Sequence, residues 1–179
     1  MRFFGIIGAM DVEIALLLQK MKENGQVHTT SKASLSFYEG KIGENQLILV
    51  KSGIGKVNAA LCAQILISEF KVTHLINTGI AGALSKDLRV LDLVLSNDAV
   101  YHDFKVTAFG YKACTIPGMD SSIFQADTKL IEKAKSAFEK LKNEKTIEFI
   151  HNLFTGRIAS GDCFVDSKEK KQHIILDIK

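Results

Sequence analysis

The amino-acid sequence predicts an α/β protein: a single domain over residues 1–179, with a mixed, largely parallel twisted sheet flanked by helices. Three observations carry this expectation. Phe3 to Ala9 is a short apolar run without polar alternation, as for a strand buried on both faces. Segments with helical apolar spacing recur between short strand-like runs, so strands and helices alternate along the chain. Finally, 13 glycines against a single proline suit regular elements joined by tight turns.

After the first strand, Asp11 is expected to cap a helix whose Ile14, Leu17, Leu18 and Met21 share one face, ended by Asn24-Gly25. Ser34 to Gly40 alternates, with Leu35 and Phe37 on one side, and Leu47 to Lys51 makes the next strand. Ser52-Gly53-Ile54-Gly55 turns into a long helix carrying Val57, Leu61 and Ile65 on one side. His74 to Asn77 is a strand opening onto Thr78-Gly79-Ile80-Ala81-Gly82, and Leu91 to Val100 is another. An irregular stretch, Tyr101 to Met119, leads to a helix capped by Asp127, with Leu130, Ala134, Ala137, Phe138 and Leu141 as its apolar stripe. Thr155 to Ser160 is a further strand, and Ser167 caps a last helix. The apolar residues Ile174, Ile175, Leu176 and Ile178 come only at its end, which predicts an exposed apolar face and an incomplete domain with C-terminal elements missing.

Composition removes several functional classes. The net charge of +3, from 23 basic and 20 acidic residues, is too balanced to imply nucleic acid or a membrane surface as partner. Arginine occurs only at positions 2, 89 and 157, so a phosphate-gripping arginine cluster is not expected. Cys62, Cys114 and Cys163 form no Cys-x-x-Cys pair, which argues against a disulfide framework or a thiolate zinc site and for a reducing, cytoplasmic setting. No apolar run approaches the ~18 residues of a membrane span. Asp11 and Glu13 end the N-terminal run before it could serve as a signal peptide. Neither a metal nor a cofactor is expected.

Among residues that could carry chemistry, Gly53-Ile54-Gly55-Lys56 invites a P-loop reading that fails. Val50 stands where the first glycine should be and Val57 where the hydroxyl residue should be. Gly5-Ile6-Ile7-Gly8 lacks the third glycine of a dinucleotide fingerprint. His102-Asp103 has no further ligand at metal spacing and is expected to be a hydrogen-bonded structural pair. Glu13 lies just beyond the first strand, at the carboxyl-end crevice where parallel sheets bind ligands. Its residue type alone leaves two roles open: a reactive carboxylate, or a solvated first-turn carboxylate favoured by the helix dipole. The same crevice is expected to receive Ser52 to Gly55, Thr78 to Gly82 and Ser160 to Val165, whose glycines let backbone amides approach a planar ligand.

Five ordered motifs carry a resemblance: Gly5 to Met10 with Glu13; Lys51 to Ala60; Asn77 to Gly82; Tyr101-His102-Asp103 with Val106 to Tyr111; and Ser160-Gly161-Asp162. Collinear from Met1 to about Val165, the chain resembles the bacterial 5′-methylthioadenosine/S-adenosylhomocysteine nucleosidases of the purine nucleoside phosphorylase superfamily. The resemblance implies a nucleoside phosphorylase-like fold and hydrolysis of the N-glycosidic bond of an adenine thionucleoside, releasing adenine and the thioribose. It implies that Glu13 activates the water and that Phe164 and Val165 hold adenine, with Ala81 and Gly82 beneath. Met10 and Ile54 would line the ribose and alkylthio region. Phe109 and Pro117 match positions that close the thioalkyl pocket of a neighbouring subunit, so a homodimer is implied.

The family pattern continues into a Val-Glu-Met-Glu segment and a Ser-Asp pair that hold the ribose and protonate the purine. Residues 1–179 end before both, so the polypeptide by itself is expected to be inactive and poorly stable. Ile80 stands where the family commonly has Ser or Thr, and Val165-Asp166 replaces Ile-Asn. Two other functions stay open at this point: a purine nucleoside phosphorylase, and a non-catalytic paralogue that binds adenine nucleosides. Against the first, Asn77 stands where related phosphorylases place a phosphate-binding arginine.

Overall fold

The N-terminal apolar run becomes β1 (Phe3–Gly8), which lies between two parallel neighbours, β4 (Asn45–Lys51) and β5 (His74–Asn77). Beyond β4, β3 (Leu35–Ile42) and β2 (His28–Lys32) add on in antiparallel register, giving the order β2-β3-β4-β1-β5. This is a computed structural model that describes residues 3–144 and 152–178, and the chain divides into two units, Met1–Ala81 and Gly82–Lys179. A mixed sheet with helices packed on it is the architecture expected from the alternating pattern.

The missing alternation in β1 has a direct cause: both of its faces are buried. Ile6 packs with Leu47, Leu49, Ile14 and Met21 beneath α1 (Asp11–Glu23). Ile7, on the other face, joins Phe37, Ile48, Val50, Cys62, Ile65 and Leu66 beneath α2 (Lys56–Ser68). Burial pushes the Cys62 thiol up to about 11, so it stays protonated near neutrality and serves as a small core residue.

Three local expectations are corrected. Asp11 is the first residue of α1 and not its cap: Met10 takes the cap position, and the Asp11 carboxylate meets Lys51 Nζ at 2.8 Å. α2 buries Cys62, Ile65 and Leu66, whereas Val57 and Leu61 are 79% and 45% exposed. That helix is apolar nearly all round, so periodicity did not choose its face; the sheet did. Finally, β2 is an additional strand: His-Thr-Thr-Ser-Lys holds no apolar residue to signal it and lies at the sheet edge, where backbone pairing with β3 suffices.

In the second unit β6 (Leu93–Tyr101) pairs in parallel with β8 (Leu153–Ser160) and antiparallel with the short β7 (Phe124–Gln125). Asp127 caps α3 (Thr128–Asn143) by accepting from Leu130 N at 2.9 Å, and Phe138 is the buried member of its stripe. Ser167 caps α4 (Lys168–Asp177) by accepting from Lys170 N at 3.1 Å. The expected exposed apolar end is corrected as well: Ile174 is buried, Ile175 and Ile178 are half-buried, and of the four only Leu176 is exposed. Arg157 of β8 secures this end. Its Nε and Nη2 donate to the two Asp98 oxygens at 2.5 and 3.1 Å, and its Nη1 donates to Ile178 O at 2.8 Å. A cation on the last carbonyls of α4 is the arrangement that the helix dipole favours. Among the described residues, no helix is long and apolar enough to cross a membrane.

Candidate active site

The carboxyl ends of β1, β4 and β5 lie side by side, and two backbone bonds extend their pairing past the strands. Ser52 N donates to Gly8 O and Thr78 N to Ile7 O, each at 2.9 Å. Three loops therefore leave the sheet together: Ala9-Met10 into α1, Ser52 to Gly55 into α2, and Thr78 to Ala81. This is the crevice where parallel sheets place their ligands.

Glu13 ties two of these loops to each other. Its Oε2 accepts from Ala9 N at 2.7 Å and Met10 N at 3.0 Å, and its Oε1 accepts from Ile80 N at 3.0 Å. The Met10 contact alone would suit a capping glutamate at the third helical position. The Ile80 contact would not, because it crosses 67 residues of sequence to the loop after β5. A carboxylate offers about four lone-pair sites. Three are filled by backbone amides, so among the described residues one acceptor site, on Oε1, has no partner.

Two glycines make this packing possible. A Cβ on Gly8 would lie 2.6 Å from Ile14 Cγ2, so glycine lets α1 start close against β1. A Cβ on Gly79 would lie 2.5 Å from Glu13 Oε1. Ser52 is buried in the same floor, its hydroxyl donating to Gly53 O at 2.9 Å, and Asn58 of α2 braces the loop by donating to Ile54 O at 2.7 Å.

Of the sequence candidates in this unit, Met10 and Glu13 are half-buried, and Ile54 and Ala81 are exposed on the loops after β4 and β5. A separate cavity of about 430 Å³ opens beside Phe3, Gln46 and His28, at the amino ends of β1 and β4. Its position is opposite to the one that parallel sheets use, and it does not include Glu13.

The remaining candidates belong to the second unit. Gly82 begins it; Phe109 closes a short 3-10 turn and, like Pro117, is exposed. Phe164 is 84% exposed on the segment after β8, with Val165 beside it. His102 is buried and its backbone N–H donates to Ser160 O at 3.0 Å, while the Asp103 carboxylate accepts from Asp162 N at 2.8 Å, so both residues fasten the Ser160-Gly161-Asp162 turn. The residues that sequence reasoning did not single out are backbone groups, the amides of Ala9 and Ile80, and the bare Cα of Gly79. The glycine-rich run Thr78 to Gly82 is the available signal: by sequence it suggests close approach of a ligand, and in the structure Gly79 also leaves room for Glu13.

Residues 3–178 match the family model of the phosphorylase superfamily, across both units. A 5′-methylthioadenosine/S-adenosylhomocysteine nucleosidase of Staphylococcus haemolyticus is 41% identical over 167 residues, which is 93% of this chain and 68% of the relative. The nucleosidase of an Exiguobacterium species is 40% identical, over 96% of this chain and 69% of its own length. Among solved structures, the Neisseria meningitidis nucleosidase in complex with methylthio-immucillin-A has a TM-score of 0.88 at 38% identity, covering 99% of this chain and 72% of that one. The Colwellia psychrerythraea nucleosidase in complex with adenine also has a TM-score of 0.88, at 35% identity over 98% of this chain and 69% of that one. The chain belongs to the 5′-methylthioadenosine/S-adenosylhomocysteine nucleosidase family of the phosphorylase superfamily.

Proposed function

We propose that this protein hydrolyses the N-glycosidic bond of 5′-methylthioadenosine and S-adenosylhomocysteine, with Glu13 as the base that activates water. The observation that carries the reading is the state of the Glu13 carboxylate. Backbone amides from two loops hold it at the strand ends, with one acceptor site left for a donor from outside. Water placed there gives a proton to Glu13 as its oxygen bonds the anomeric carbon. The bond from that carbon to the purine nitrogen breaks, and the electron pair leaves with adenine, which takes up a proton from an acid. Because the sugar passes through an oxocarbenium-like state, a fixed anion beside it stabilises the charge that develops.

Met10 and Ile54 are assigned to the ribose and alkylthio portion of the substrate, and Ala81, Gly82, Phe164 and Val165 to adenine. These assignments follow the family resemblance, and the exposure of Ile54 and Phe164 is in keeping with surfaces that a ligand would cover. A family model that runs unbroken from residue 3 to 178 supports reading both units as one nucleosidase domain. Three free cysteines suit a cytoplasmic setting.

Hydrolysis and phosphorolysis differ in what they consume. With water as nucleophile, the rate of adenine release is expected to be independent of phosphate concentration, and the second product to be a free thioribose. A rate that rises with phosphate and a sugar 1-phosphate product would overturn the reading. The measurement uses the protein as its gene encodes it, with adenine and sugar products separated by chromatography.

A homodimer belongs to the same proposal. Ile54, Val57 and Leu61 are all exposed, with Ile54 on the loop into α2 and Val57 and Leu61 together on one side of that helix. Exposed apolar side chains grouped in this way mark an association surface, and a second copy of the chain is the occupant that the family implies. Light scattering should give twice the chain mass for the native protein and a single chain mass for Val57→Asp. A native protein that stays monomeric at micromolar concentration would refute it.

A further inference from the structure

We propose that Gly79 is a positioning residue for Glu13: its missing side chain leaves the space in which the carboxylate meets the Ile80 amide. The inference rests on the reading of Glu13 as the hydrolytic base and adds a residue that acts through it. Gly79 is not among the glycines with a left-handed backbone, so no conformational demand explains glycine at this position. Space does. A Cβ would lie 2.5 Å from Oε1, 2.9 Å from Cδ and 3.3 Å from Oε2 of Glu13, its three nearest atoms beyond the adjoining residues.

What a methyl group at this position would displace decides the outcome. Beyond the adjoining residues, the three atoms it would meet first are the far end of a flexible side chain. Glu13 can therefore swing aside at little expense to the fold. In doing so it gives up the 3.0 Å bond from Ile80 N and moves its one open acceptor site away from the strand ends. Misplacing a reacting group by about 1 Å is worth on the order of 10²-fold in rate.

The test is kinetic, in the protein as its gene encodes it. Gly79→Ala is expected to lower kcat by about 10²-fold, with KM changed by less than about threefold, because the nucleoside is held elsewhere. The thermal midpoint should move by no more than about 2 °C. Glu13→Asp supplies the second arm. Its carboxylate is one methylene shorter and clears the added methyl, so it should cost distinctly less in the Gly79→Ala background than in the native one.

Several outcomes would overturn the proposal: a native kcat in Gly79→Ala, independent effects of the two substitutions, or a fall in midpoint above about 5 °C, which would assign Gly79 to the fold. Glu13→Gln separates this inference from the reading beneath it. If that variant turns over normally, Glu13 is not the base and both ideas fall. If it is inactive while Gly79→Ala is near native, only the positioning role is refuted.

Discussion

Replacing Glu13 with glutamine should lower adenine release by about 10³-fold while leaving adenine-nucleoside affinity within a few-fold of native, since a positioned base is typically worth ~10²–10⁴-fold. Glutamine nearly preserves shape, and its carbonyl oxygen can still accept from Ala9 and Met10 at the position of Oε2. Its NH2 group then faces the Ile80 amide where Oε1 accepted, so two donors meet and that bond is lost. The open site can no longer take a proton. A stability loss of about 1 kcal/mol should accompany the kinetic loss, from the bond given up. A plain first-turn carboxylate predicts the opposite pattern: a dipole contribution below ~1 kcal/mol and unchanged turnover. Near-native turnover in Glu13→Gln, measured beside a calorimetric binding curve for methylthioadenosine, would end the assignment.

The largest expected effect on stability lies in the core between the sheet and α2. Phe37 is fully buried, with its ring 4.9 Å from that of Phe70, and it packs with Val50, Cys62 and Leu66. Phe37→Ala removes a ring that β3, β4 and α2 jointly enclose, and such truncations cost about 3–5 kcal/mol. For a chain of this size that is a fall in the thermal midpoint of roughly 10 °C. Phe37→Leu, which keeps most of the volume, should lose under half as much. The check is a denaturant or thermal unfolding curve. A drop below about 1 kcal/mol for the alanine variant would mean that this cluster is not the centre of the unit.

Much of this protein is legible before any coordinates. The unbroken apolar run at Phe3 announces a strand with two buried faces, and it is one: Ile6 and Ile7 enter separate cores. His74 to Asn77 appears as read, and Asp127 and Ser167 cap their helices as their side chains allow. These features are local. They follow from the spacing of apolar residues and from short-range hydrogen bonding, which the order of residues specifies by itself. Glu13 as the candidate base, and the family to which the chain belongs, were legible in the same way through motifs at strand ends.

Other features were decided only by the folded chain. α2 has apolar residues on every side, so whether Val57 or Cys62 faces inward depended on where the sheet lay. Asp11 is the first residue of the helix and not its cap, and its carboxylate meets Lys51, 40 residues away. The apolar end of α4 is largely covered, and Arg157 and Cys114 reach its last carbonyls. Most of all, the contact that Glu13 makes beyond its own helix and the turn into it is with a single backbone amide, that of Ile80, which sequence order places 67 residues off. Sequence by itself determined most of the elements and the family, and it singled out Glu13 as the candidate, because these depend on short-range pattern. Tertiary structure decided what that residue touches, because a carboxylate's partners are set by which loops the sheet brings to one edge.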